Sequence, residues 1–297
     1  MRLIKAAHMG MCFGVRDAIA AARQVETPTT ITIHGQLVHN PVVNRELAAR
    51  GFLMQSERDR DMAPPTERVL ITAHGVSNAH RARLMAAGKT LIDTTCPLVR
   101  RAHAAALGLA DAGYHVLIIG KRNHVEVLGL AGDLPAHDII ESEADVRDFH
   151  QQRLGIIQQT TTVREEAERL HALIRAANPQ ADVRFINTIC QPTRDRQEAL
   201  EELLAKVDVM VVVGGRESNN TRQLKARCEQ GGVRAVHIEG PDELSVTQFA
   251  GHETIGLTAG TSTLPETIAA VEEKLEQILA QHARLPRLPS RPHKRVA

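Results

Sequence analysis

The amino-acid sequence predicts an α/β protein with mainly parallel sheets and a threefold internal repeat of architecture. Six times along the chain, a short run rich in Val, Ile and Leu ends in small or polar residues and is followed by a helical pattern. Short apolar strands that alternate with amphipathic helices are typical of parallel sheets with crossover helices. The 297 residues exceed one ordinary core, and two of the six strand ends fall in each third of the chain.

The predicted elements follow one another regularly along the chain. Strands with polar ends are expected within residues 30–40, 68–78, 115–127, 153–163, 208–220 and 253–263. The main helices are expected within residues 41–52, 100–114, 164–179, 196–207, 221–232 and 264–281. We therefore predict three α/β domains, at residues 13–96, at 97–189, and at 190–284 together with 1–12. Residues 285–297 are rich in proline and basic residues and are predicted to be a loosely ordered basic tail.

Composition excludes several classes of function. The 36 Lys and Arg residues nearly balance the 35 Asp and Glu residues, so the chain has no general attraction to nucleic acid or anionic lipid. With one Tyr, five Phe and no Trp, a base-stacking surface is not expected. The N-terminus lacks a signal-peptide pattern, and no run of about 18 apolar residues occurs. We expect a cytoplasmic protein with reduced thiols that binds neither nucleic acid nor a membrane.

Three of the four cysteines stand before predicted helices, one in each third of the chain. These are Cys12, Cys96 (followed by Pro97) and Cys190, whereas Cys228 lies late in a helix. A helix N-terminus favours a thiolate, so the three together would hold a metal cluster where the domains meet. Three thiolates are one fewer than an iron–sulfur cube usually has, which leaves one iron with an open position. The alternative for each cysteine is a small buried hydrophobe, which is our interpretation of Cys228.

Polar residues end the six predicted strands, where ligands of α/β proteins bind. Most of them are hydrogen-bond donors near helix N-termini, which suits an anion such as a diphosphate. The chain has no Walker or dinucleotide-binding glycine motif that would serve instead. A structural role is the alternative for each histidine, and helix capping for the serines. The residues are His39, His74, His124 with Glu126, Thr160, Ser218 with Asn219 and Asn220, and Ser262.

The motifs that carry these residues resemble those of one known family. In order they are "MGMCFGVRDAI", "LVHNPVV", "AHGVS", "DTTCPLVRRAH", "HVEVLG", "QQTTT", "ICQPTRDRQEA", "SNNT" and "TAGTST". Over about residues 1–280 this series is similar to the 4-hydroxy-3-methylbut-2-enyl diphosphate reductases, which act last in the non-mevalonate isoprenoid pathway. The resemblance implies a pseudo-threefold cloverleaf of α/β domains around a central [4Fe–4S] cluster.

The resemblance also implies a role for each candidate residue. The metal ligands would be Cys12, Cys96 and Cys190, and the catalytic residues would be Glu126 as proton donor and Thr160 beside the substrate's alcohol. The substrate's diphosphate would be bound by His39, His74, His124, Ser218, Asn219, Asn220 and Ser262. The implied reaction is reductive dehydroxylation to isopentenyl and dimethylallyl diphosphate, with reduced ferredoxin or flavodoxin as electron donor.

Three departures from the family's pattern bear on substrate preference. Val125 replaces the usual proline before Glu126, Asn219 replaces a usual serine, and "QPT" follows Cys190 in place of a small-residue stretch. These departures leave one alternative open, a paralogue of the same fold that acts on another small substrate. A second alternative is an iron–sulfur redox sensor without turnover, although a sensor needs neither a carboxylate nor an anion pocket.

Overall fold

Twelve strands and nine α-helices alternate along residues 1–284, the part of the chain that the computed structural model describes. The strands are β1 (Arg2–Lys5), β2 (Ile31–His34), β3 (Leu53–Met54), β4 (Arg68–Ile71), β5 (Thr90–Asp93), β6 (His115–Ile119), β7 (His137–Ile140), β8 (Arg153–Gln158), β9 (Asp182–Phe185), β10 (Val209–Val213), β11 (Arg234–Ile238) and β12 (Thr254–Ala259). The helices are α1 (Phe13–Arg23), α2 (Pro41–Ala49), α3 (Asn78–Ala86), α4 (Pro97–Asp111), α5 (Val125–Ala131), α6 (Arg164–Ala177), α7 (Gln191–Leu204), α8 (Asn219–Gln230) and α9 (Pro265–Arg284).

The strands form three four-stranded sheets in which every ladder among residues 1–284 is parallel. The sheet of the first lobe has the order β3-β2-β4-β5, that of the second lobe β7-β6-β8-β9, and that of the third lobe β1-β12-β10-β11. The order is the same in each, because the third lobe takes the chain's own first strand, β1, as its fourth strand. The predicted α/β fold class is confirmed.

Apolar side chains cover both faces of each sheet. The two inner strands of every sheet are almost completely buried, as in β10, whose sequence is Val-Met-Val-Val-Val. In the second lobe, one face of the sheet packs under α4 and α5 and the other under α6. Burial on both faces explains why these strands are continuous apolar runs, which is what parallel sheets require. Each lobe thus has its own apolar core, and polar residues at the ends of the strands can form a binding site between the lobes.

The chain passes from one lobe to the next immediately after each fourth strand. After β1 it enters α1, which packs on α2 in the first lobe; after β5 it enters α4, which packs on β8 in the second. After β9 it enters α7, which packs on β12 in the third lobe. The cysteines Cys12, Cys96 and Cys190 stand at these three passages.

Direct hydrogen bonds between lobes join residues at these same ends of the sheets. The Asn40 side chain donates to the Ser262 carbonyl at 2.6 Å, and the Asn219 side chain donates to the Thr161 hydroxyl at 3.0 Å. The carboxyl ends of the three sheets therefore face one common centre.

The predicted domain limits at residues 13–96, 97–189 and 190–284 with 1–12 stay a prediction. The predicted basic tail, residues 285–297, lies outside the described residues. Within the described part of the chain, no helix combines the length and the apolar character needed to cross a bilayer.

Candidate functional site

Three cysteines N-cap the helices at the passages between lobes. Cys12, Cys96 and Cys190 precede α1, α4 and α7, and none of these helices has an acidic residue in its first turn. All three cysteines are half-buried. A methyl group added at Gly14, the second residue of α1, would lie 2.4 Å from the Cys96 Sγ. The loop that carries Cys12 is therefore packed directly against the second cysteine.

The environment of these thiols calls for a bound cation. Burial raises the pKa of Cys190 to about 11 and raises that of Cys96 as well, and the charges of Cys12 and Glu126 add to both shifts. A thiolate is therefore unfavourable here unless a metal stabilises it. Soft sulfur ligands at three passages between lobes suit the iron of an iron–sulfur cluster. The residues present thus fit the predicted cofactor.

Three histidine rings contact one another at the centre between the lobes. The ring centroids of His39, His74 and His124 lie 4.3, 5.3 and 5.6 Å apart pairwise. Burial lowers the pKa of His39 to about 4, that of His124 to about 3 and that of His74 well below its usual value. The positive charges of Arg60 and Arg222 contribute to the lowering at His39 and His124. At His39 the negative charge of Glu217 opposes this lowering, whereas positive charges dominate around His124. The three rings are neutral at pH 7, and an anion beside His124 would be stabilised by these positive charges.

The hydrogen bonding of two of these histidines shows which ring nitrogens can contact a ligand. The Glu126 backbone N–H donates to the His124 Nδ1 at 3.1 Å, so the proton of the neutral ring is on Nε2. The His74 Nδ1 is buried and has no hydrogen-bond partner among residues 1–284. Buried polar atoms without a partner are rare, and those at a binding site are available to a ligand.

The third lobe contributes the polar turn before α8 and the end of β12. Ser218 N-caps α8, and the Asn220 Oδ1 accepts from the Thr261 N–H at 2.9 Å, which leaves the Asn220 Nδ2 buried without a partner in the described chain. The Ser262 hydroxyl donates to the His39 carbonyl at 3.1 Å. Asn219 differs, because its amide N–H group is used by the bond to Thr161 between lobes. The predicted contact of Asn219 with substrate stays a prediction.

Glu126 is the one acidic side chain of the predicted set. It is only 2% exposed, and its two oxygens accept from the Thr160 N–H at 2.6 Å and the Thr160 hydroxyl at 2.9 Å. Burial raises the pKa of Glu126 to about 7, although both bonds from Thr160 oppose the shift. A carboxyl with this pKa is protonated in about half of the molecules at pH 7, which suits a general acid. Val125, which stands where the resemblance predicts a proline, is the first residue of α5, so the helix begins there without that proline.

The predicted residues occupy equivalent places in the three lobes. The first strand of each lobe leads to His39, His124 or Ser218, the third to His74, Thr160 or Ser262, and the fourth to a cysteine. The structure thus brings all of these positions to one centre, and their individual roles stay predictions.

Three crevices between lobes reach this centre. One of about 330 Å³ lies between the first and second lobes and is lined by His74 and Glu126. A second, of about 280 Å³, lies between the second and third lobes and is lined by Gln159 and Asn219. A third, of about 680 Å³, lies between the first and third lobes and is lined by His39 and Gly215.

The sequence reasoning missed Arg196, which is buried in α7. Its guanidinium donates to the Gly10 carbonyl at 3.0 Å, and burial lowers its pKa while the thiolates of Cys12 and Cys190 oppose that shift. The side chain thus ties two of the cysteine loops together and places a positive charge beside them. The sequence contained a signal for Arg196. It is spaced three residues from Thr193 and from Ala199, so the three lie on the same face of α7, which is buried.

Fold and site together define a class: a three-lobed parallel α/β protein with a candidate thiolate metal centre beside a buried acid and an anion pocket. A sequence model of a protein family, described as LytB protein, matches residues 3–276. The chain belongs to this family, and the predicted family is confirmed.

Individual relatives agree with this assignment. A protein of Thermoanaerobacter sp. (strain X514) named 4-hydroxy-3-methylbut-2-enyl diphosphate reductase is 35% identical over 281 residues, covering 93% of this chain and 96% of the relative. The E-1-hydroxy-2-methyl-but-2-enyl-4-diphosphate reductase from Plasmodium falciparum superposes with a TM-score of 0.84 at 26% identity, over 94% of this chain and 87% of that chain. A further structure, titled as the terminal enzyme of the non-mevalonate pathway, has a TM-score of 0.65 at 32% identity, over 93% of this chain and 99% of that chain.

Proposed function

We propose that this protein is a 4-hydroxy-3-methylbut-2-enyl diphosphate reductase, an oxidoreductase that forms isopentenyl and dimethylallyl diphosphate by reductive dehydroxylation. Family membership and the names of its relatives support the activity. The strongest support from the structure is Glu126, a buried carboxyl with a pKa of about 7. It lies next to His124, and its charge acts on Cys96 and Cys190. A sensor without turnover would have no need of such an acid.

Cys12, Cys96 and Cys190 would hold a [4Fe–4S] cluster. When bound, the cluster supplies electrons one at a time and an iron with an open coordination position. The N-termini of α1, α4 and α7 favour its negative charge, and Arg196 adds a cation beside it. Helix ends and Arg196 thus replace part of the solvation that burial removes.

The diphosphate of the substrate would occupy the pocket lined by the histidine rings and the turn before α8. The His124 Nε2–H and the Asn220 Nδ2 are donors for its oxygens, and the N-cap positions of α3 and α8 add helix N-termini. A negative ligand raises the low pKa values of His39 and His124, so these rings take up protons as it binds. The tethered diphosphate then holds the alcohol end near Glu126 and Thr160.

Glu126 would give a proton to the leaving hydroxyl, so that the C–O bond breaks with loss of water. Thr160 holds both carboxyl oxygens and fixes where the proton is delivered. The crevice between the first and second lobes gives solvent protons a route back to Glu126. The reduction consumes two electrons and two protons in each turnover, and we assign a reduced ferredoxin or flavodoxin as the electron donor.

The test is anaerobic purification followed by turnover of 4-hydroxy-3-methylbut-2-enyl diphosphate with reduced methyl viologen. We expect about four iron and four sulfide per chain, viologen oxidation that depends on the diphosphate, and both isopentenyl products. Viologen oxidation with another small diphosphate but not with this one would support the paralogue instead. A bound cluster without turnover of either would support the sensor.

A further inference from the structure

An arginine stands four residues after each of the three cysteines at the passages between lobes. The three sequences are Cys12-Phe-Gly-Val-Arg16, Cys96-Pro-Leu-Val-Arg100 and Cys190-Gln-Pro-Thr-Arg194. In each, the arginine N–H closes the first helical turn on the cysteine carbonyl, at 3.0, 3.0 and 3.1 Å. The repeat is structural as well as sequential, because the three helices are equivalent in the threefold topology.

Helix stability does not explain these arginines. A cation in the first turns of a helix opposes the helix dipole, and acidic residues are preferred there. Side chains on a helix lean toward its N-terminus, so each guanidinium leans back toward its cysteine. The Arg100 Nε donates to the Thr95 carbonyl at 3.3 Å, and the Arg194 Nη1 donates to the Ile189 carbonyl at 2.8 Å. In both cases the acceptor is the residue immediately before the cysteine.

These arginines remain available to a partner. The Arg16 and Arg100 side chains pair with Asp17 at 3.3 Å and with Asp93 at 2.8 Å but are still 66% and 54% exposed, and Arg194 is half-buried. Residues 13–17, 97–101 and 191–195 contain four arginines and two aspartates, and Asp93, which pairs with Arg100 at 2.8 Å, is shared with Arg81. The sum of these charges is positive. Phe13, directly after Cys12, is an exposed large hydrophobic residue in the same region. Positive charge around an exposed aromatic side chain is the composition of a docking surface for an acidic protein.

We propose that Arg16, Arg100 and Arg194 form a basic collar around the cysteine site, on which an acidic one-electron carrier protein docks. The inference rests on the proposed function, since only a reductase needs electrons delivered repeatedly at this site. The collar follows the fourth strand of each lobe, whereas the anion pocket follows the first and third strands. The two sets meet at the crevice between the first and second lobes, which Arg100 lines together with His74 and Glu126. Charge complementarity of this kind raises the rate of encounter and makes it dependent on salt.

Arg16 is the sharpest position for a test. The one polar side-chain contact of Arg16 in the described chain is with its neighbour Asp17, at 3.3 Å, so Arg16→Glu reverses a charge without removing a bond between elements. Arg100→Gln and Arg194→Gln, which keep an N–H donor, complete a triple variant. The matched control is Arg175→Glu, at an exposed arginine in the last turn of α6. The C-terminal end of α6 lies at the amino ends of the strands, whereas the cysteines lie at the carboxyl ends.

The primary measurement is the affinity of the cluster-loaded protein for an oxidised bacterial flavodoxin, by calorimetry at low and at about 0.3 M salt. We expect Arg16→Glu to weaken binding about tenfold at low salt and the triple variant about 100-fold, with a flatter salt dependence. Turnover driven by reduced flavodoxin should fall in parallel, whereas turnover driven by reduced methyl viologen should stay within about twofold. Arg175→Glu should change neither affinity nor rate.

Iron and sulfide content checks that each variant keeps its cluster. If the glutamine substitutions lower that content, Arg16→Glu alone decides the question. Wild-type flavodoxin affinity in Arg16→Glu, or an equal loss in Arg175→Glu, would overturn the collar. Collar-dependent binding of flavodoxin without any viologen-driven turnover would contradict the proposed function and leave the docking surface supported.

Discussion

Replacing Glu126 by Gln tests the proposed acid directly, because Gln keeps the shape and removes the proton. The Gln Oε1 still accepts from the Thr160 N–H, and its amide can donate to the Thr160 hydroxyl in place of the present 2.9 Å bond. The first turn of α5 should therefore pack as in the wild type, and the three cysteines should still bind a cluster. What the variant loses is the ability to give a proton to the leaving hydroxyl.

The magnitude follows from the pKa of about 7 that burial confers on Glu126. At pH 7 about half of the molecules carry the proton, against about 0.3% for a carboxyl with an ordinary pKa. A well-placed general acid contributes about 10²–10⁴-fold to the rate. We expect kcat of Glu126→Gln to fall by that factor, with cluster content unchanged.

The assay is anaerobic turnover with reduced methyl viologen between pH 5.5 and 8.5. Since the acid must be protonated, wild-type activity should be constant well below pH 7 and fall about tenfold per pH unit well above it. The profile is taken from kcat/KM, which reports the groups of the free enzyme. In that state the pKa values of His39 and His124 are about 4 and 3, so these rings do not produce the fall. Wild-type rates in Glu126→Gln, or wild-type activity that rises through pH 7 to 8, would refute the reasoning.

The same substitution should change how stability depends on pH. A carboxyl whose pKa is raised on folding stabilises the fold fully below its unfolded-state pKa, and that contribution is lost as pH rises through the folded-state value. Between pH 4.5 and 7 the wild type should thus lose about 3 kcal/mol relative to Glu126→Gln. Denaturant unfolding at both ends of the range measures this difference, and parallel curves for the two proteins would contradict the buried acid.

Three further predictions concern the cofactor and the pocket. Cys96→Ser should fold but lack iron and sulfide, because a hydroxyl is a far poorer iron ligand than a thiolate. Cys228→Ser should keep both, since Cys228 is buried among apolar side chains. The reverse pattern would exclude Cys96 as a metal ligand. Gly14→Ala should lower iron content without unfolding the protein, because the added methyl group would lie 2.4 Å from the Cys96 Sγ. Full iron content would show that the backbone moves to accommodate the methyl group. Inorganic diphosphate should bind more tightly at pH 6 than at pH 8 with uptake of protons by His39 and His124, as calorimetry in two buffers would measure; binding independent of pH would exclude these rings.

The sequence by itself predicted the six inner strands and missed the six edge strands. Strands β2, β4, β6, β8, β10 and β12 are buried on both faces, so their composition is nearly all apolar. The edge strands, such as β1 and β9, are half exposed and mix charged with apolar residues. Their strand conformation is determined by pairing with an inner strand, which is a contact between distant parts of the chain. Only the tertiary structure therefore revealed that β1 completes the third sheet.

The chemical types at the site were readable from the sequence, because each follows a recognisable strand or opens a helix. Three cysteines before helices and polar residues at strand ends were sufficient to predict a metal centre beside an anion pocket. The pKa of Glu126 was not readable, since it arises from burial between lobes that are far apart in the chain. The same holds for the neutral histidine rings, for the bond of Asn219 to Thr161, and for Arg196 at the Gly10 carbonyl. Local sequence determined which groups are present, and only the packing of three lobes decided how close they lie and which of them carry a proton.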